Sequence, residues 1–456
     1  MIAAARLAAT GAEATLDRAF LSGAAEGLAE EIERWTNTNT NAAARPLARA
    51  ARRLADEIAG AAPQDFAAGW ERHWAAIDRL GEAFGSARNA GARYAHAYPS
   101  MTAFFADAEA QRLGASDATF WDTYEHGRRR QIEHAIAGQR GHGAALLVNS
   151  GMSAIAVALG SAGLGPGDTL LTGTNGYFET SALLAEVVGH GVTVVRVDLD
   201  DACAWQRAVA EVPKVILLET VENGPAGRSC PPPGQWLGAA RSTLILIDNS
   251  LVSAGCDWAA LARRHGVAER LVAAESAAKY LSQTIVAGML LGAPEAIERC
   301  RAQARNHGQQ LQERLFNYLR QWEIEGLATR WALHDRNARR FHARVTAGLA
   351  RPLALFRRVD GALVYVQLPE AGDGASRAIR HRRLLEGWVA RCGEVGTPVA
   401  IRAGFGWRQT TARCYEGNYL NQRHAPDYLR LSIGIEPEAR IDAIADGFLA
   451  ALEEAQ

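Results

Sequence analysis

Residues 144–163 read "AALLVNSGMSAIAVALGSAG", and the way this stretch divides decides the architecture. The run "AALLV" is short and wholly apolar, the pattern of a strand buried on both faces. Ser150-Gly151 ends it, and "MSAIAVALGSAG" follows with the spacing of a helix. A strand turning directly into a helix is half of an α/β unit.

The alternation continues downstream. "DTLLTG" (168–173) precedes the helical "ETSALLAEVVGHG", and "VTVVRVDL" (192–199) precedes a helix near 203–211. "KVILLET" (214–220), a Pro/Gly-rich loop, "TLILIDNS" (243–250), the helical "WAALARRHG" and "RLVAAES" (270–276) complete the series. Short apolar runs alternating with helices predict a mostly parallel sheet covered on both faces. Such sheets bind ligands at the C-terminal ends of their strands. The polar marks "NS", "ET", "DNS" and "ESAAK" fall there.

On either side the texture differs. Residues 1–88 are alanine-rich, with apolar positions three and four apart in "LAEEIERW" and "FAAGWERHWAAIDRL", so a helical extension is expected, broken by "TNTNTN" at 36–41. From 311 onward, helices mix with weaker strands such as "GALVYVQL" and "YLRLSIGI". The expected organisation is a helical extension (1–88), an α/β domain (89–310) and a smaller α+β domain (311–456).

Composition narrows the function. A formal net charge of −1 and the lack of a long basic run argue against nucleic acid or an anionic membrane as partner. The N-terminus does not read as a signal peptide, and no window resembles a membrane span, so a soluble, cytoplasmic protein is expected. The six cysteines form no C-x-x-C pair and are expected to be reduced thiols.

Of 49 basic residues only two are lysines, Lys214 and Lys279. Arginine replaces lysine readily as a solvated charge, but it cannot lose its proton and attack a carbonyl. Lys214 precedes "VILLE" and reads as a solvated strand-start residue. Lys279 lies at the end of the "LVAAES" strand, where burial would free its amine for a Schiff base. Asp248 ends the apolar "TLILID", where a carboxylate is costly without a positive partner such as a protonated pyridine nitrogen. Ser150-Gly151-Met152 opens a helix whose backbone N–H groups and dipole favour a phosphate. Ser276 could add a hydroxyl. These are the parts needed to hold pyridoxal phosphate.

Taken singly, each part has a plainer reading. Asp248 could be a helix N-cap, Ser150-Gly151 a tight turn, Tyr177 a core aromatic, and Arg430 the partner of a structural carboxylate. Ser150 is not a hydrolase nucleophile, because "VNSGM" lacks G-x-S-x-G.

In order and wording the pieces resemble the cystathionine γ-synthase/γ-lyase family, the Cys/Met-metabolism branch of fold-type I PLP enzymes. "NSGMSAI" resembles that family's S-G-M-x-A-I, "YFET" its Y-G-G-T, and "ETVENGP" its E-x-x-x-N-P. "IDNS" is similar to D-N-T, "ESAAKY" to S-x-T-K-Y, and "LRLSIGIE" to R-L-S-V-G-L-E. The resemblance implies a fold-type I large domain, pyridoxal 5'-phosphate on Lys279, and a homodimer or homotetramer with shared active sites. It also implies that Tyr177 stacks on the cofactor ring and assists proton transfer, that Asn223 lies near the phenolic oxygen, and that Arg430 clamps the α-carboxylate of an amino acid substrate. The implied chemistry is α,γ-elimination or γ-replacement through a vinylglycine-type intermediate. A β-lyase, an aminotransferase, or a catalytically silent PLP-fold binding protein are the alternatives.

This chain also departs from the pattern. Ala278 replaces the threonine of S-x-T-K, and no histidine follows the lysine in "KYLSQTIVAG". The phosphate-reaching Y-x-R arm becomes "YAHAYPS", which keeps Tyr94 but puts His96 at the arginine, with Arg93 nearby. The G-G-V-E-S-L-like segment is replaced by "RAGFGWRQT", and about 25 residues are inserted after Ser100. Cofactor-facing residues are mostly kept while substrate-facing ones differ, which points to an unusual substrate. A γ-halogenated amino acid converted to an alkyne in specialised metabolism is one possibility.

Overall fold

The computed structural model describes residues 13–38, 44–90, 100–109, 127–225, 229–230, 242–370, 376–415 and 427–455. A seven-stranded sheet forms the centre, in the order β1 (Ala144–Val148), β7 (Gly288–Gly292), β6 (Leu271–Ser276), β5 (Leu244–Asp248), β4 (Val215–Glu219), β2 (Thr169–Gly173) and β3 (Thr193–Val197). The strands run parallel except β7, which is antiparallel to both β1 and β6. Residues such as Leu147, Ile216, Leu246 and Ala273 are fully or almost fully buried, as expected for strands covered on both faces.

Local side chains start the covering helices where the sequence needs them to start. Ser150 accepts from the Ser153 N–H at 3.0 Å, Asp201 from Ala204 and Asp257 from Ala260, both at 2.8 Å. Each satisfies an N–H that the first helical turn leaves without a partner.

Among the described residues, three helices, Glu13–Thr38, Arg45–Gly60 and Pro63–Ala90, form the N-terminal part. The first does not stop at the start of "TNTNTN" but runs on to Thr38. Thr36 turns its hydroxyl back onto the Ile32 carbonyl at 2.7 Å, which lets it stay within the helix. These helices are built into the rest of the molecule. Trp70 and Trp74 pack with Leu21, Leu28 and Ile32, and the same core includes Trp322, Leu333 and Ile435.

A second sheet has the order β10 (Ala400–Ile401), β11 (Thr411–Tyr415), β12 (Tyr428–Ser432), β9 (Leu363–Gln367) and β8 (Leu355–Arg358). One face packs on the helices Leu327–Gly348, Ser376–Glu394 and Glu438–Ala455 through Phe341, Trp388 and Phe448. Arg413, Arg430 and Tyr365 are register partners across β11, β12 and β9, so they share one face of the sheet. No helix among the described residues is long and apolar enough to cross a membrane.

Candidate active site

Strand pairing brings the polar strand ends together. Glu219 and Asp248 are register partners at the ends of β4 and β5, and Asn249 follows with its N–H bonded to the Ala274 carbonyl of β6 at 2.8 Å. The Lys279 turn leaves β6 immediately beyond Ser276. One cavity of about 720 Å³ opens at this edge. Its wall includes Ser150, Gly151, Met152, Tyr177, Asn223, Asp248, Ser276, Lys279 and Arg430. The remaining residue singled out by sequence, Tyr94, lies outside the described residues, as do Arg93 and His96.

Ser150 caps the helix Gly151–Ser161, which leaves the N–H groups of Gly151 and Met152 without intrahelical acceptors. A Cβ on Gly151 would lie 3.0 Å from the Ser276 Cβ, so glycine lets the two strand ends close up into a cradle. Ser276 is fixed in turn by its N–H bond to the Ser250 hydroxyl at 2.9 Å. This is a donor-rich pocket suited to a phosphate.

Lys279 follows Ser276 on the same turn, its N–H donating to the Ser276 carbonyl at 3.2 Å and its Nζ 4.9 Å from the Phe405 ring centroid. Burial, with the Arg430 charge adding to it, pushes its pKa down to about 8, while Glu179 and Asp248 oppose the shift. Asp248 accepts from the Ser250 N–H at 2.9 Å, and burial raises its pKa. Glu219 is raised by burial and by the Asp248 carboxylate beside it. Both groups would lose this penalty if a cation entered between them.

Glu219 does a job that the sequence did not reveal. One of its oxygens accepts from the Tyr177 N–H and the other from the Asn223 N–H at 3.0 Å. A single carboxylate therefore positions two residues of the cavity wall. The Tyr177 phenol is kept protonated, first by burial and then by the charge and hydrogen bond of Glu179. Asn223 Oδ1 accepts from the Arg430 Nη1 at 3.3 Å and the Tyr365 hydroxyl at 3.4 Å. Arg430 also donates to the Ala403 carbonyl and stacks 4.8 Å from the Tyr415 ring centroid.

Beneath the strand ends lies a closed polar network. Glu275 pairs with Arg140 at 2.5 Å and accepts from Asn249 Nδ2 at 2.7 Å and the Ser253 hydroxyl at 2.8 Å. Asn249 Oδ1 accepts from the Thr220 hydroxyl at 2.8 Å. Ser253 adopts φ +45, a backbone conformation rare for a residue with a side chain, and this network holds it there. Lys214, the other lysine, pairs with Asp168 at 2.7 Å at the far end of the sheet.

The model of the family described as "Cys/Met metabolism PLP-dependent enzyme" matches residues 84–344. The chain belongs to that family. Its cofactor is pyridoxal phosphate, and the site suits it: an amine of lowered pKa, a half-buried carboxylate that a cation would stabilise, and backbone donors around a glycine that leaves little room for a side chain. Among solved structures, the cystathionine γ-synthase of Xanthomonas oryzae pv. oryzae, in complex with aminoacrylate and cysteine, has the same fold at a TM-score of 0.60 and 18% identity, covering 73% of this chain and 88% of that one. The cystathionine γ-lyase of Lactobacillus plantarum, complexed with L-serine, gives 0.58 at 19% identity, covering 73% and 88%. The apo methionine γ-lyase of Micromonospora echinospora gives 0.57 at 18%, covering 72% and 88%. No curated protein sequence matches the chain. The family pattern covers Ser150, Tyr177, Asn223, Asp248, Ser276 and Lys279 on the cavity wall. It does not account for Phe178 and Glu179, which fill the positions of the two glycines in the resembling Y-G-G-T, or for Ala278.

Proposed function

We propose that this enzyme acts on an L-amino acid by α,γ-elimination or γ-replacement. When bound, the protonated cofactor ring withdraws electrons from the substrate Cα. Asp248 keeps the ring nitrogen protonated. Ser150, Gly151, Met152 and Ser276 hold the phosphate, and the family motif assigns Tyr94 to it as well, in a homodimer or homotetramer with shared active sites. Asn223 faces the phenolic oxygen and Tyr177 covers the ring. Lys279 anchors the aldehyde, then accepts the Cα proton as its freed amine. Lys279 or Tyr177 handles the second proton, at Cβ, and departure of the γ-substituent follows. Arg430 orients the substrate by its carboxylate, a geometry that a planar two-pronged donor suits.

The observation that carries this reading is the meeting of Lys279, Tyr177, Arg430 and Asp248 on the wall of one cavity. The family relatives named above, γ-synthases and γ-lyases, support chemistry at Cγ. The altered substrate-facing residues, Glu179, Phe405 and Trp407 among them, argue against assuming cystathionine or methionine as the natural substrate.

The test is incubation of the holoenzyme with O-acylhomoserine plus a thiol, homocysteine, methionine and a γ-halogenated allylglycine. Release of α-keto acid with ammonia marks elimination. A product that retains its amino group marks replacement, or alkyne formation from the halide. No turnover and no exchange of the α-proton in deuterium oxide for any of them would overturn the proposal.

A further inference from the structure

Loop 403–408 touches both reactive ends of the site. Gly406, at φ +69, lies so near the Lys279 backbone that a Cβ there would sit 3.0 Å from its carbonyl carbon. The Phe405 ring faces the Lys279 amine, and the Ala403 carbonyl accepts from Arg430. The Gly406 carbonyl is held by Arg330 Nη2 and Gln283 Nε2, each at 3.0 Å, and its N–H donates to Ser432 at 3.1 Å.

Two residues on, the chain leaves the site and meets the N-terminal helices. Arg408 pairs with Asp78 at 2.6 Å and lies 3.9 Å from the Trp74 ring centroid. Asp78 also reaches Arg320 at 3.5 Å. Both arginines are buried, and Asp78 shares with the buried Glu323 the task of offsetting their charge. No described residue of 13–90 lines the cavity, so any influence of these helices on the site must pass through contacts of this kind.

We propose that the N-terminal helices brace the carboxylate-binding side of the active site, with Asp78 and Arg408 as positioning residues that act through loop 403–408 on Arg430. The proposal rests on the reading of Arg430 as the carboxylate holder. Without Asp78, Arg408 has reason to turn toward water, and a shift there passes along the chain to Thr410, whose carbonyl accepts from the Ala400 N–H at 3.1 Å, and so reaches Ala403 without crossing Gly406. The Ala403 carbonyl would then release Arg430 from its fixed orientation. The amine end would be spared, because Arg330 and Gln283 still hold Gly406 near Lys279.

The test compares two probes on the holoenzyme by the change in cofactor absorption: L-methionine, and 3-(methylthio)propylamine, the same molecule without its carboxylate. Asp78→Asn is expected to weaken L-methionine roughly 3- to 30-fold, the scale of coupling through a packed network, and to leave the amine unchanged. Hydrogen exchange of the amides in 403–410 should quicken, and Asp78→Glu should restore both readouts. If Asp78→Asn does not fold, Arg408→Lys decides, with the same expected pattern. Equal weakening of both probes, or unchanged exchange in the loop, would overturn the brace. Arg430→Gln is run beside it. If that variant keeps the preference for L-methionine, the carboxylate reading fails and the proposal falls with it. That failure differs from the brace's own in that loop exchange still quickens in Asp78→Asn.

Discussion

Glu219 and Asp248 stand side by side at the ends of β4 and β5, two half-buried carboxylates paired in register on the cavity wall. Each raises the cost of ionising the other, so the pair strongly favours a cation at its edge. Asp248→Asn removes the charge that would hold a ring nitrogen protonated. Exchange of a substrate α-proton should slow by about 10²–10³-fold, the usual scale for losing a fixed electrostatic partner in a closed site. Proton exchange followed by NMR in deuterium oxide measures it.

Glu219→Gln should act differently. Glutamine offers one acceptor oxygen where two backbone donors, Tyr177 and Asn223, now point. One N–H would face an NH₂ group, at a cost of about 1–3 kcal/mol. Denaturant unfolding of the apoprotein should show that loss, whereas Glu219→Asp should change the cofactor spectrum by moving Tyr177.

The pKa of Lys279 sets a pH dependence. The free amine is the attacking form, and burial brings its pKa to about 8. Capture of pyridoxal phosphate by the apoprotein should therefore speed up with pH and level off above about 8, where an ordinary lysine would still be gaining up to about 10.4. Arg430→Gln removes a neighbouring positive charge and should move the midpoint upward. Stopped-flow absorbance across pH reads both. Lys279→Arg should capture nothing that borohydride can fix.

Arg430 should matter more to binding than to turnover. Arg430→Gln leaves a substrate carboxylate without its charged partner, a loss on the order of 2–5 kcal/mol. KM should rise steeply with a smaller fall in kcat, and steady-state kinetics on whichever substrate turns over will show the split.

The network below the strand ends should matter to stability. Glu275→Gln leaves Arg140 buried without its counter-charge, at a cost of about 3–5 kcal/mol, and thermal unfolding should fall accordingly. Arg140→Met should cost at least as much, because the Glu275 carboxylate would then be the uncompensated charge.

The large sheet was legible because its strands are short aliphatic runs and its site residues sit where those runs end. Ser150, Asp248, Ser276 and Lys279 could each be placed by that rule alone. β7 was not foreseen. "GMLLG" is brief and glycine-flanked, and nothing local says that it runs antiparallel between β1 and β6. Glu219 was visible as one letter of E-x-x-x-N-P, but its two acceptor bonds depend on a backbone path that no periodicity encodes. Asp78 lies within the helical "FAAGWERHWAAIDRL", where nothing local sets it apart. Its partner Arg408 lies far along the chain, and a charge pair carries no sequence signal for its mate. The helical extension could thus be seen, but not what it touches.

The antiparallel course of β7 has a consequence for repeated turnover. Ser276 and Gly288, on either side of the lysine-bearing turn, are register partners in the same sheet. The turn is thus stapled at both feet, and closing it costs little further chain entropy. With Lys279 as the anchor proposed above, an amine on such a tether would stay within a small sphere when displaced and would need no search to return. The sheet would then act as a short leash on it.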